Sequence, residues 1–300
     1  YTDEQIAAMS EEEKAENLAK LWRNYCVSDV YEPGSTFKII TTSMAFEENV
    51  ITPNTVFTCY DPYSVEGTKI HCHKRGGHGT HEYSYMLQQS CNPTLIQVAQ
   101  LVGNEKFYQY FEAYGYTSKT GIDLPAEASP IFHNYSGFNS VELATYSFGQ
   151  TFKITPIQQI TAVSTVANGG YLLTPHVVSR ITDNDGNVVY SADETPKRQV
   201  VSSEVCETIA EILEEGVSGN GGAKNTYVPG YKIAAKTGTS ELRDVFDENG
   251  NSYLRVGSTV AFAPSDDPQV AVLIVCDEPM VSQMYGAYVA APYVAAVMEE

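Results

Sequence analysis

The chain has 300 residues, 43% of them hydrophobic, enough to bury a substantial core. Its 18 Lys+Arg stand against 37 Asp+Glu, a formal net charge of −19 that disfavours nucleic acid and anionic lipid surfaces as partners. No apolar run reaches the roughly 18 residues of a membrane span, and six cysteines are too few for a disulfide scaffold at this length.

In chain order, residues 3–22 read as one acidic amphipathic helix with Ile6, Met9, Leu18, Leu21 and Trp22 on its apolar side. Pro33 and Gly34 then break the chain, and a partly buried helix is expected over 34–49. Residues 53–82 are rich in Gly and His and support short strands at most. Helices are expected near 83–101 and 104–114, with loops over 115–140. "TPIQQITAVSTVANGG" reads as a helix ended by glycines, and "YLLTPHVVSRITDNDGNVVYS" as two strands joined at an Asp-Gly turn. "SSEVCETIAEILEEGVSG" is a helix that begins at a serine cap but lacks the Glu three residues on that would close a capping box. "GYKIAAKTGTSE", "LRVGSTVAFAPSD" and "PQVAVLIVCDEP" read as buried strands, and a last helix covers about 286–299. Helices first, then a sheet-forming half with flanking helices, give an α+β class with an antiparallel sheet. The chain has no leader-like stretch and starts without Met, so residues 1–300 are expected to be one excised domain.

Three short motifs carry chemistry. Ser35 and Lys38 stand three apart at a helix start and share a face, and a lysine beside a serine hydroxyl acts as its base when burial lowers the amine's pKa. Ser-x-x-Lys is common by chance, so it needs partners. Ser-x-Asn occurs as Ser90-Cys91-Asn92, which opens an apolar helix, and as Ser218-Gly219-Asn220 in a glycine-rich turn. The first is preferred because a rigid element holds a donor better than a mobile turn. Lys-Thr-Gly occurs at Lys119–Gly121 in a turn-rich stretch and at Lys236–Gly238 on a strand pattern. The second is preferred, with the missing side chain at Gly238 expected to admit a ligand backbone.

These motifs come in the order found in penicillin-binding proteins. The chain resembles the transpeptidase domain of class B penicillin-binding proteins, of the cell-division and spore-cortex type of Gram-positive bacteria. The resemblance is carried by "VSDVYEPGSTFK", "GGHGTHEY", "QQSCNP", "TGIDLPAE", "SFGQTFKITPIQQ", "VANGG", "AAKTGTSE" and "VAFAPSDDPQVAVLIVCDEP", nearly the whole length. It implies a five-stranded, largely antiparallel sheet with helices on both sides and D,D-transpeptidation of peptidoglycan stem peptides without a cofactor. Ser35 would be the acylated nucleophile and Lys38 its base. Ser90 would relay a proton to the leaving amine, and Asn92 would hold the substrate amide. Lys236, with the hydroxyls of Thr237 and Thr239, would bind the terminal carboxylate beside Gly238, and the N–H groups of Ser35 and Thr239 would form the oxyanion hole. β-Lactam antibiotics would acylate the same serine. The resemblance also implies a membrane anchor and pedestal outside this chain, a place on the extracytoplasmic face of the membrane, and a membrane glycosyltransferase as partner. "FGQ" at Phe148–Gln150 is read as structural packing.

Other readings are a serine β-lactamase, a non-catalytic β-lactam sensor and a cell-wall scaffold. Class A β-lactamases carry Glu-x-x-x-Asn after the second motif; the one fit, Glu13–Asn17, precedes the nucleophile. Four of the six histidines fall in "HCHKRGGHGTHE", near Cys59, Cys72 and Cys91, but the spacings do not match a structural zinc motif, so no metal is expected. A disulfide is the stronger expectation. Cys91 lies between Ser90 and Asn92, with Cys72 and Cys59 as its possible partners, and a Cys72–Cys91 bond would act as a redox switch on the site. The spore-cortex branch, where a cysteine occurs at this place, is similar.

Overall fold

The computed structural model describes residues 2–241 and 254–300. Three short helices, α1 (Asp3–Ala8), α2 (Glu11–Trp22) and α3 (Tyr25–Ser28), precede a 3-10 turn over Gly34–Phe37 that runs into α4 (Lys38–Glu47). The expected single helix over 3–22 is divided at Ser10, whose hydroxyl caps α2 in a capping box with Glu13. Its apolar side is not core: Leu21 and Trp22 are 82% and 84% exposed.

Four short strands follow, β1 (Val56–Cys59), β2 (Tyr63–Val65), β3 (Thr68–Ile70) and β4 (Gly79–Glu82), with β1 pairing β4 and β2 pairing β3. Then come α5 (Tyr83–Gln88), α6 (Asn92–Val102), α7 (Asn104–Ala113), α8 (Ser140–Tyr146) and α9 (Pro156–Ala167). The helix expected over 83–101 is broken at residues 89–91, where Ser90 takes a left-handed φ of 58°. After α9 the strands β5 (Tyr171–Leu172), β6 (Arg180–Thr182), β7 (Val188–Ser191) and β8 (Arg198–Gln199) form two small pairs, β5 with β8 and β6 with β7. The chain closes with α10 (Ser203–Ser218), β9 (Ala234–Glu241), β10 (Arg255–Ala263), β11 (Val270–Asp277), α11 (Gly286–Val289) and α12 (Ala291–Glu299).

The antiparallel sheet expected from the last third is present, in the order β11-β10-β9. Among the described residues it has three strands, where the resemblance implied five. Its two faces obey the period of two. Ala234, Val260 and Phe262, with Leu273, pack against α4, α9 and α10, whereas Ala235, Ala261 and Ala263, with Ile274, pack against α12 and the end of α10. Helices therefore cover both faces, and the central strand β10 is buried from Val256 to Ala263.

α4 is the axis of the helical part. Every residue from Lys38 to Phe46 is buried, although the sequence KIITTSMAFE is rich in Thr, Ser and Ile, which do not favour a helix by themselves. Packing supplies the stability. The buried hydroxyls are all engaged: Thr41 donates to the Ser147 carbonyl (2.8 Å), Thr42 to the Lys38 carbonyl (2.6 Å) and Ser43 to the Ile40 carbonyl (2.7 Å). Thr42 and Ser43 also meet the phenol oxygens of Tyr83 (2.6 Å) and Tyr114 (2.7 Å), which tie α4 to its neighbours.

Candidate active site

The site forms where three segments meet: the 3-10 turn leading into α4, the break between α5 and α6, and strand β9. The turn is over-determined. Gly34 has φ +56°, its N–H donates to the Gly149 carbonyl (2.9 Å), and a Cβ on Gly149 would lie 2.1 Å from the Gly34 carbonyl oxygen. Thr36 donates to the Pro33 carbonyl (2.8 Å) and accepts from Gln159 Nε2 (3.2 Å), whose Oε1 in turn accepts from Tyr116 OH (2.9 Å). Phe37 is fully buried among Phe107, Phe111, Tyr116 and Phe152, with ring centroids 5.0–6.3 Å apart. Between these anchors only Ser35 keeps part of its surface open. Phe148 packs beside Val65, Ile96 and Ala144, as expected of "FGQ", and Gly149 is the floor on which the Ser35 turn rests, near where the resemblance places this motif.

Lys38 has no exposed surface. Its Nζ donates to Asn92 Oδ1 (2.6 Å), the Ser90 carbonyl (2.7 Å) and Ser90 Oγ (3.1 Å). Burial pushes its pKa down to about 8, opposed by the negative character of Cys91, Cys72 and Cys59. The left-handed turn at Ser90 is what aims both its carbonyl and its hydroxyl at one amine. The alternative Ser218–Asn220 stretch is not distant: the Asn220 carbonyl accepts from Gln89 Nε2 (2.9 Å), so it buttresses the preferred loop.

Strand β9 presents Lys236 and Gly238 to the helical side. Burial, and then the charge of Lys38, hold Lys236 well below the usual lysine range. An arriving carboxylate would return it to the charged form. A Cβ on Gly238 would sit 2.8 Å from the Pro33 carbonyl oxygen, 2.7 Å from Ser258 Oγ and 3.0 Å from Thr36, so the missing side chain admits the turn that carries Ser35. The pleat puts Thr237 and Thr239 on the opposite face, where Thr239 Oγ1 accepts from the Gly286 N–H (3.1 Å). A carboxylate touching Lys236 and both hydroxyls must lie along the edge of β9. The Thr239 backbone lies against Gly34, a Cβ on which would be 2.8 Å from the Thr239 oxygen, so the two N–H groups assigned to the oxyanion hole belong to adjoining segments. Lys119–Gly121 is a separate turn, closed by Thr120 and Gly121 N–H groups on the Glu127 carboxylate (2.6 and 3.1 Å).

The cysteine and histidine spacings match no compact zinc motif, yet the fold draws four of these residues together. Cys59 at the end of β1, Cys72 after β3, His78 before β4 and Cys91 before α6 are all buried, and their ligand atoms lie within 4.8 Å of one another. The spacing rule describes ligands in one compact segment; here the β1–β4 pair folds a hairpin back onto a distant helix start. All six cysteines are free thiols, and Cys72 and Cys91 are not bonded to each other. Cys72 Sγ lies 3.3 Å from His78 Nδ1. Hydrogen bonds from Cys72 and Thr94 hold the Cys91 thiol below its usual pKa against the opposing effect of burial.

This fold and this meeting of Ser-x-x-Lys, Ser-x-Asn and Lys-Thr-Gly define a class, and the family model of the penicillin binding protein transpeptidase domain matches residues 2–299. The chain belongs to that family. Among its relatives it is 38% identical to stage V sporulation protein D of Bacillus subtilis (strain 168), over 93% of this chain and 43% of that protein. It is 26% identical to peptidoglycan D,D-transpeptidase FtsI of Escherichia coli (strain K12), over 92% of this chain and 44% of that protein. The fold is shared with penicillin-binding protein 3 of Mycobacterium tuberculosis complexed with ampicillin, at a TM-score of 0.83, 24% identity and coverage of 92% of this chain and 62% of that one. The chain thus spans less than half the length of these two curated relatives.

Proposed function

We propose that this domain is a peptidoglycan D,D-transpeptidase. The observation that carries the reading is the buried Lys38 amine, one turn from Ser35 and hydrogen-bonded to both members of the Ser90/Asn92 motif, with a second buried lysine, Lys236, across the site. A stem peptide ending in D-Ala-D-Ala would lie along β9, its carboxylate toward Lys236, Thr237 and Thr239 and its amide toward Asn92. Neutral Lys38 would take the Ser35 proton as Oγ attacks the penultimate carbonyl. The N–H groups of Ser35 and Thr239 would stabilise the oxyanion. Ser90, bonded to Lys38, would pass the proton to the departing D-Ala amine. The amine of a neighbouring stem peptide would then attack the ester, lose its proton by the reverse route and form the cross-link.

β-Lactams would enter by the same first step and leave a slowly released ester. The substrate places the work on the extracytoplasmic face of the membrane, with a membrane glycosyltransferase as the source of the glycan strand. The higher identity to a sporulation protein than to a division protein favours cortex synthesis. The test is intact mass after incubation with penicillin, beside Ser35→Ala. A lasting one-to-one adduct that needs Ser35 is expected, followed by cross-linking of D-Ala-D-Ala peptides to an amine acceptor. An adduct lost within seconds makes the protein a β-lactamase; a stable adduct without peptide turnover makes it a sensor; no adduct removes the acyl-enzyme reading.

A further inference from the structure

We propose that Cys59, Cys72, His78 and Cys91 form a closed tetrahedral site for a resident zinc ion beneath the Ser90–Asn92 loop. Three sulfurs and one imidazole nitrogen are a soft donor set that selects zinc over magnesium or calcium. With Zn–S near 2.3 Å and Zn–N near 2.0–2.1 Å, a tetrahedron requires S···S of about 3.8 Å and S···N of about 3.5 Å. The four ligand atoms already lie within 4.8 Å of one another, with Cys72 Sγ to His78 Nδ1 at 3.3 Å. Four protein ligands leave no open position, so the metal is structural and takes no part in acyl transfer.

The surroundings are built for that set. Thr94 donates its hydroxyl to Cys91 Sγ (3.3 Å), a contact that supports a thiolate. The Asp61 carboxylate accepts from the Cys72 N–H (3.0 Å) and the Gly76 N–H (3.1 Å) and so fixes the segment carrying Cys72. Gly77, at φ +76°, lets the chain close over Cys59; a Cβ there would lie 2.7 Å from the Cys59 carbonyl oxygen. His71, His73 and His81, by contrast, are exposed. Of the four histidines in the segment the structure buries only His78, whose Nδ1 is nearer Cys72 Sγ (3.3 Å) than that of exposed His73 (4.0 Å).

Cys91 is the link to function, because it lies between the two residues that hold Lys38. A metal on its sulfur would fix the strained left-handed turn at Ser90 from below. The site does not depend on the acyl-transfer reading, and its test is separate. The protein is purified without chelator or added metal, and zinc is measured by elemental analysis and X-ray absorption. One zinc per chain is expected, with three sulfurs and one nitrogen, and the same content in Ser35→Ala. Cys91→Ser and His78→Ala should lose most of it, while Cys206→Ser, remote from the set, should keep it. Because those variants can fail to fold, alkylation of the unaltered protein gives a second reading: Cys59, Cys72 and Cys91 should be protected until a chelator is added, and the melting temperature should then fall. A folded, penicillin-reactive protein without zinc overturns the proposal, as does metal-free protein with a Cys72–Cys91 disulfide, or zinc bound without sulfur ligands.

Discussion

Lys38, the proposed base, is both buried and hydrogen-bonded to three acceptors, and these two features pull its pKa in opposite directions. Three acceptors favour the ammonium; burial disfavours it and is the larger effect, bringing the pKa down to about 8. Only the neutral amine takes the Ser35 proton, so the rate of acylation by penicillin should rise with pH through about 8 and level off above it. The check is the second-order acylation rate measured from about pH 6 to about pH 9. A flat profile would mean that Lys38 is not the base. At this scale the sequence named the candidate residues that the structure gathers into one site, but not their supports. Ser35, Lys38, Ser90, Asn92 and Lys236 were legible because each motif has a fixed local spacing. Gly149 and the Tyr116–Gln159–Thr36 chain were not, because their task depends on which distant segments meet. Gly238 was legible as a glycine needed for close approach, but what approaches is the chain's own turn.

The elements divide in the same way. β9, β10 and β11, α9 and α10 follow their hydrophobic periodicity and α9 its Thr155 cap, whereas the serine cap expected for α10 is absent, the Ser202 hydroxyl donating to the Glu47 carboxylate (2.8 Å). The start of α6 at Asn92 was legible, but the left-handed turn before it was not, because no glycine marks it: Ser90 takes φ 58°. The gathering of Cys59, Cys72, His78 and Cys91 was not legible for a related reason, since these residues come from β1, the segment after β3, the approach to β4 and the start of α6. The 3-10 turn gives a test at this scale. Phe37 anchors it in a cluster of four aromatic rings, so Phe37→Ala should cost about 3–5 kcal/mol of stability. Because Phe37 directly follows the turn's Thr36, acylation should slow even at temperatures where the variant stays folded. Denaturant unfolding read beside the acylation rate checks both. An unchanged acylation rate in the folded variant would show that Thr36 and Gly149 alone fix Ser35.

For the whole molecule, the order of motifs was enough to place the fold class, whereas the charge of −19 says nothing of the central site, where Lys38 and Lys236 are buried. What composition could not show is how unevenly the chain is held. α4 is buried along its length and bonded through Thr42 and Ser43 to two interior tyrosines, whereas α2 buries no residue. Amide hydrogen exchange should therefore span the full range within one chain. The α4 amides should exchange only when the entire domain unfolds, and those of α2 at close to the rate of an unstructured peptide. Mass spectrometry of peptides from these two helices measures the contrast directly. Its consequence is that Lys38, the proposed base, stands at the start of a helix that opens only with the whole domain, so its surroundings should hold while α2 frays.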